Sequence, residues 1–324
     1  MENAKKEMGK RVRRRRFLED EVHHIYQRTI NRFNIFYDLE DYLVYYTIFS
    51  VAARQYGVIV LGLCLMFDHI HMLIKTGVRV RMSEFVRQVT CMFVREQNND
   101  VGRKGSLFQA RFGSAPKRGL KLLRTAIAYL FNNPVEKKLC ARAEEFRWNF
   151  LAYAVSSHPF SDPPIIGQAS RSLKRAIKEV DLAESEDRHL RYAQLKRLLS
   201  KLNERERMQL VDHIISIYNP FDYDEIIKCY GSYEDKLTAI NSNTGSEYDI
   251  KEERYKFSDM EYVRMIDILH DAAGLKDIRK VTGLAIDEKM RLLELLRKHL
   301  SCGNLPIAKF LHIHLTKPLT AECL

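Results

Sequence analysis

His69-Ile70-His71 is the sharpest chemical feature of this 324-residue chain. On a strand, side chains at i and i+2 share a face, so both imidazoles converge above a sheet while Ile70 turns into the core. Neutral imidazole is a common ligand of divalent metals, and a pair leaves positions open for oxygen ligands. Asp68 stands at the turn beside them. The same spacing also occurs on the plain polar face of a sheet, so the pair alone does not decide. His312-Ile313-His314 repeats it at the end of a short helical stretch with no strand around it, and reads as a decoy. His23 and His24 point to opposite faces of a strand, so at most one of them faces such a site. Tyr129 and Asn133 form a second candidate group: at i and i+4 they stack on one helical face, where a phenol and a carboxamide oxygen would meet one metal-bound phosphate. The chain has 16 tyrosines, and a helical tyrosine is ordinarily core, so spacing does not single out Tyr129.

The elements that must position these groups follow from hydrophobic periodicity. Residues 22–30 carry β-branched and aromatic side chains and read as a strand. Residues 39–56 have helical spacing, with Asp38 as N-cap and Gly57 as the break. Residues 58–66 are nearly all apolar and read as a buried strand, followed by a second strand over 69–75. Residues 82–97 are predicted helical, 107–114 a strand, and 120–132 a helix stopped by Pro134. The order β-α-β-β-α-β-α predicts an α+β unit, an antiparallel sheet with helices packed on one face. Residues 156–170 contain His158-Pro159, Asp162-Pro163-Pro164 and Gly167 and read as a linker. Strand-like alternation is weak beyond it. Helices are predicted over 172–202 (one or a pair), 204–218, 259–271, 286–300 and 306–313, with a polar loop over 240–252. The division is a basic arm at 1–20, a catalytic domain at 21–155, the linker, and an all-α region at 171–324. The last two helices have helix–turn–helix spacing; a plain bundle packed on the first half is the alternative, and the low charge of this region favours it.

Hydrophobic residues make up 46% and charged residues 29%, as in an ordinary soluble protein. No apolar run approaches the ~20 residues of a membrane span. The N-terminus lacks a secretory pattern, and six cysteines lie scattered without metal spacing, so a reducing cytoplasm is expected. Residues 1–150 hold 27 Lys and Arg against 15 Asp and Glu, and residues 151–324 hold 26 against 27. The basic excess therefore sits in the first half, where a polyanion is the natural partner. Arg13, Arg14, Arg15 and Arg16 form an arm that either tracks a nucleic-acid backbone or is a solvated tail. Arg111, Lys117, Arg118 and Lys121 are further phosphate-contact candidates, and Phe108, Phe112 and Trp148 are aromatic candidates for base stacking.

Four ordered segments carry a family resemblance: 24–28 (HIYQR), 64–74 (CLMFDHIHMLI), 105–112 (GSLFQARF) and 129–135 (YLFNNPV), with 148–153 closing the series. Over residues 20–155 the chain resembles the REP-associated tyrosine transposases, relatives of the IS200-like single-tyrosine transposases in the HUH nuclease superfamily. The resemblance implies a ferredoxin-like sheet with helices. It implies His69, His71 and Asn133 as ligands of Mg2+ or Mn2+, Tyr129 as nucleophile, and Arg111 beside the site. It implies cleavage and transfer of single-stranded DNA at hairpins through a 5′-phosphotyrosine, with Tyr129 acting in cis or, in a homodimer, in trans. No phosphate loop is found, and no nucleotide cofactor or membrane is implied. Three positions depart from the family pattern: Asp68 replaces its Asn, Phe131 replaces a His, and Glu136-Lys137-Lys138 replaces an Arg-Ala-Gly-like stretch. A catalytically silent DNA-binding regulator on the same fold is the other function class; the intact His69, His71, Tyr129 and Asn133 favour the enzyme.

Overall fold

Strand β3 (His69–Lys75) sends Ile70, Met72 and Ile74 to one side of the sheet and Leu73, with the two histidines, to the other. Its neighbour β2 (Ile59–Met66) divides in the same way, with Val60, Leu63 and Leu65 on the first side and Leu61, Cys64 and Met66 on the second. Strands apolar on both faces need cover on both. Helices α1 (Leu39–Tyr56) and α2 (Arg79–Val101) cover the first face, and α3 (Gly119–Glu136) covers the second. This corrects the expectation of helices on one face. With β1 (Val22–Arg28) and β4 (Gly113–Lys117), the sheet runs β2-β3-β1-β4 and is antiparallel throughout, the order of a ferredoxin-like sheet. The computed structural model describes residues 17–109, 112–242 and 258–314.

Local chemistry sets the ends of these elements. The Asp41 carboxylate accepts the backbone N–H groups of Tyr37 and Asp38 at 2.8 and 3.1 Å at the start of α1. Gly57 closes that helix in the left-handed conformation, φ 58°, which costs glycine little. Two boundaries differ from expectation. Before Gly113, where β4 begins, the described residues of the expected strand form an isolated bridge, Thr29 to Phe108. Helix α3 continues through Pro134 to Glu136. Pro134 forfeits one N–H in the last turn, where Lys137 N–H still reaches Asn133 O at 3.1 Å and Asn149 Nδ2 donates to Phe131 O at 3.2 Å.

Beyond residue 170 come α4 (Arg171–Ser185), α5 (Tyr192–Leu199), α6 (Glu204–Ile217), α7 (Tyr223–Lys228), α8 (Tyr233–Asn241), α9 (Met260–Asp271), α10 (Ile286–His299) and α11 (Asn304–Phe310). Leu173, Val180, Leu195, Leu210 and Ile214 of α4–α6 share one core with Phe49 and Phe85 of α1 and α2. The expected linker is clasped to α6, where Asp212 accepts from Phe160 N–H at 3.1 Å and Ser161 Oγ at 2.8 Å. Helices α9–α11 build a further core around Tyr37 and Phe67 of the first half. Helix α11 is buried from Pro306 to Phe310, whereas a groove-reading helix needs an exposed face; its surroundings are those of a bundle. No helix among the described residues is long and apolar enough to cross a membrane.

Arg279 ties this region to the sheet unit. Only 1% exposed, its guanidinium lies 3.1 Å from Asp100, 3.2 Å from Asp277, 3.5 Å from Asp38 and 3.7 Å from Asp41, and it stands over the Tyr192 ring. Burial pushes the Asp38 and Asp41 carboxyls above the usual carboxylate range, and the guanidinium opposes that shift. His312, half of the apparent decoy pair, donates from Nε2 to Asn34 O at 2.6 Å and stacks on Phe33. His314 pairs with Asn31 at 2.9 Å. Both histidines therefore dock the chain's end rather than share a ligand.

Burial pushes His312 down to about 3, below its unfolded value of about 6.5. The unfolded chain then binds the extra proton. The stability tied to this group is present above pH 6.5 and is lost as pH falls toward 3. Urea unfolding from pH 7 to 4 is expected to lose up to about 1.4 kcal/mol per pH unit from this group. His312→Gln should flatten that slope, and parallel slopes in the two proteins would contradict the assignment.

Candidate metal and tyrosine site

The second face of the sheet brings four groups together. In the strand register His69 lies opposite Arg28, and His71 opposite Tyr26, so residues 24, 26 and 28 share the histidines' face. His24 Nε2 lies 3.0 Å from His71 Nδ1. The His69 and His71 rings are 5.0 Å apart, and the Tyr129 ring stands 5.5 Å from His71 and 5.9 Å from His24. Sequence spacing alone allowed one of His23 and His24 to face the site, and it is His24. His23 stacks instead on Phe17 and bonds Glu21 O at 3.0 Å.

Helix α3 delivers Tyr129 because it lies close on the sheet. A Cβ at Gly62 would meet Leu130 Cδ2 at 3.3 Å and the Phe131 ring at 3.4 Å, so the absent side chain leaves room for the helix. Phe131, which stands where the resembled family has a histidine, therefore packs on the sheet. The helix starts beside the Val22 end of β1 and runs toward the His69 end, which puts Asn133 one turn beyond Tyr129 on the His69 side. Asn133 is 1% exposed, and neither its Oδ1 nor its Nδ2 has a hydrogen-bond partner among the described residues.

Asp68 and His69 form one unit. The carboxylate holds His69 Nδ1 at 2.5 Å. Burial opposes the charge of Asp68, but its pairing with His69 and the charges of Arg32, 3.6 Å away, and Lys137 outweigh burial and hold the carboxyl below the usual range. Asp259, from the far half of the chain, joins this group. Its N–H bonds Lys137 O at 3.2 Å, and burial together with the Asp68 charge pushes its carboxyl up to about 6 against the pull of Lys137, His69 and Lys309.

These residues suit a divalent cation. His69 is held at Nδ1 by Asp68 and His71 at Nδ1 by His24, so Nε2 is the ring nitrogen of each that a metal would take, and the Asn133 carboxamide would add an oxygen. Among the described residues no three His, Cys, Asp or Glu side chains form a ready metal cage. Two imidazoles and one amide leave several positions for phosphate oxygens.

Other expected contacts lie elsewhere. Arg118 and Lys121 are exposed, but they follow the end of β4 that pairs with Val22, about 20 Å along the sheet from His69. Lys117 is 2% exposed and does not present its ammonium to solvent. Phe108 is buried, and Trp148 stacks on Tyr42 at 4.2 Å, so both are core. Arg111 and Arg13–Arg16 lie outside the described residues. Sequence reasoning missed Arg28 and Arg32, cations set by the register and by Asp68, and Asp259, which no local pattern marks.

A helix-borne tyrosine thus stands beside a His-x-His strand. Residues 19–133 match the IS200-like transposases. The matched stretch holds His24, His69, His71, Tyr129 and Asn133. A solved REP-associated tyrosine transposase bound to a REP hairpin is similar at 17% identity, with a TM-score of 0.38, over 44% of this chain and 83% of the other. No curated protein matches the chain. Among the described residues the buried Asn133 amide has no partner, a stability cost that a ligand would relieve. Asn133→Leu is expected to leave the unfolding free energy unchanged or to raise it by about 1 kcal/mol, while weakening Mn2+ binding in calorimetric titration. A clear loss of stability would show that the amide serves the fold instead.

Proposed function

We propose that this protein is a metal-dependent single-stranded DNA endonuclease and strand transferase. The observation that carries the reading is the Tyr129 ring 5.5 Å from His71, with Asn133 one turn further along the same helix. His69, His71 and Asn133 would hold Mg2+ or Mn2+. When bound, such an ion supplies charge to polarise the scissile phosphate and offset the charge that develops on it. Tyr129 Oη attacks phosphorus, a Tyr–O–P bond forms, and the P–O3′ bond breaks. The phenol gives up its proton and the departing O3′ takes one, leaving a 5′-phosphotyrosine and a free 3′-OH. The phosphoester is conserved, so a strand end can reverse the step without a nucleotide cofactor. Arg28, opposite His69 in register, and Arg32, beside Asp68, would add positive charge on the side where a backbone phosphate enters. Tyr129 stands beside the histidines of its own chain, which supports action in cis.

Hairpin-bearing oligonucleotides are the substrate of choice, in line with the transposase-like segment and its resemblance to REP-associated enzymes. Incubation of the full chain with them and Mn2+, followed by a denaturing gel, is expected to show a covalent protein–DNA adduct. Tyr129→Phe should abolish it. Persistence of the adduct in that variant would remove Tyr129 from the nucleophile's role. DNA binding without an adduct in the wild-type protein would leave a silent binding protein on the same fold.

A further inference from the structure

We propose that His24 is a positioning residue that locks His71 in the tautomer able to bind a metal. The inference rests on the reading of His69 and His71 as ligands. A neutral imidazole binds a metal through the nitrogen that carries no proton, and the hydrogen bond made by its other nitrogen decides which that is. Left to itself the ring favours a proton on Nε2, which would block the nitrogen turned toward the site. His71 Nδ1 lies 3.0 Å from His24 Nε2. If His71 donates from Nδ1–H, His24 accepts with Nε2, and His71 Nε2 keeps its lone pair. Asp68 does the same for His69 through a bond of 2.5 Å to Nδ1. The two ligands are thus anchored alike at the same atom, one by a carboxylate and one by a second imidazole.

Burial makes this arrangement firm. His24 and His71 are both 0% exposed, so water does not compete for the bond between them. The contact crosses the β1–β3 ladder diagonally, because His24 stands opposite Leu73 and His71 opposite Tyr26. The pair is further confined by Tyr129, whose ring packs at 5.5 Å from one and 5.9 Å from the other. Groups that orient ligating histidines commonly affect metal affinity by about 10–100-fold.

Two measurements on the full chain test this. In ring-15N-histidine-labelled, metal-free wild-type protein at neutral pH, the His71 signal, assigned by its loss in His71→Asn, is expected to show Nδ1 protonated and Nε2 bare. A proton on Nε2 overturns the proposal without recourse to any variant at His24. In Mn2+ titrations without DNA, His24→Leu should bind about 10–100-fold more weakly. His24→Gln, whose amide oxygen can still accept, should stay close to wild type, and His23→Gln should be unchanged. Wild-type affinity in folded His24→Leu overturns the proposal. If His24→Leu does not fold, the tautomer measurement decides. Absence of Mn2+ binding in the wild-type protein would overturn the metal reading itself, a result distinct from a selective loss at His24.

Discussion

Helix α3 meets the sheet over Gly62, and that close contact sets where Tyr129 and Asn133 stand relative to the histidines. Leu130 and Phe131 fill the space that a larger residue at position 62 would occupy. Tyr129 and Asn133, one helical turn apart, are thereby carried above β1 and β3. A helix held farther out would keep its apolar packing with longer side chains and lose the convergence of ring on ring. Phe131 shows the same priority, since an aromatic hydrocarbon stands where the resembled family has an imidazole and serves adhesion between helix and sheet.

Polar groups buried between α3 and the sheet are costly unless they are hydrogen-bonded. Asp68 is paired with His69 and lies near the cations Arg32 and Lys137, and His24 and His71 bond each other. The Asn133 amide stands outside both arrangements. A folded core ordinarily gives such a group a partner, and among the described residues none reaches it. Asp259 brings the far half of the chain into the same electrostatic neighbourhood, and its carboxyl is pushed upward by burial and by the negative charge of Asp68.

Much of this was legible in the sequence because strand alternation is strict. The period of two put His69 and His71 on one face and Ile70 in the core, and it limited His23 and His24 to one candidate. The limits of α1 and β3 agree with the sequence reading, helped by Asp38, Gly57 and the turn at Phe67-Asp68. The cover on the second face was also written in β2, whose unbroken apolar run signals burial on both sides, but periodicity does not say which helix supplies it. Pro134 misled because a proline in a last turn removes one bond rather than ending a helix. Charge counts carry no direction, so Lys117, Arg118 and Lys121 looked like site residues although the register sets them at the other end of the sheet. The diagonal bond from His24 to His71 and the arrival of Asp259 depend on tertiary structure alone.

Arg279 gives the second half of the chain a permanence that its apolar contacts do not. Helices α4–α6 and α9–α11 also pack on the first half through apolar side chains. Asp38, Asp41 and Asp100 lie in the first half, and all of them share a guanidinium supplied by the second. Replacing that one side chain by a neutral one would leave those carboxyls without their counter-charge where burial already disfavours ionisation, a larger penalty than an uncovered leucine. Such a shared cation makes the halves interdependent: opening the contact between them separates three carboxylates from one counter-charge.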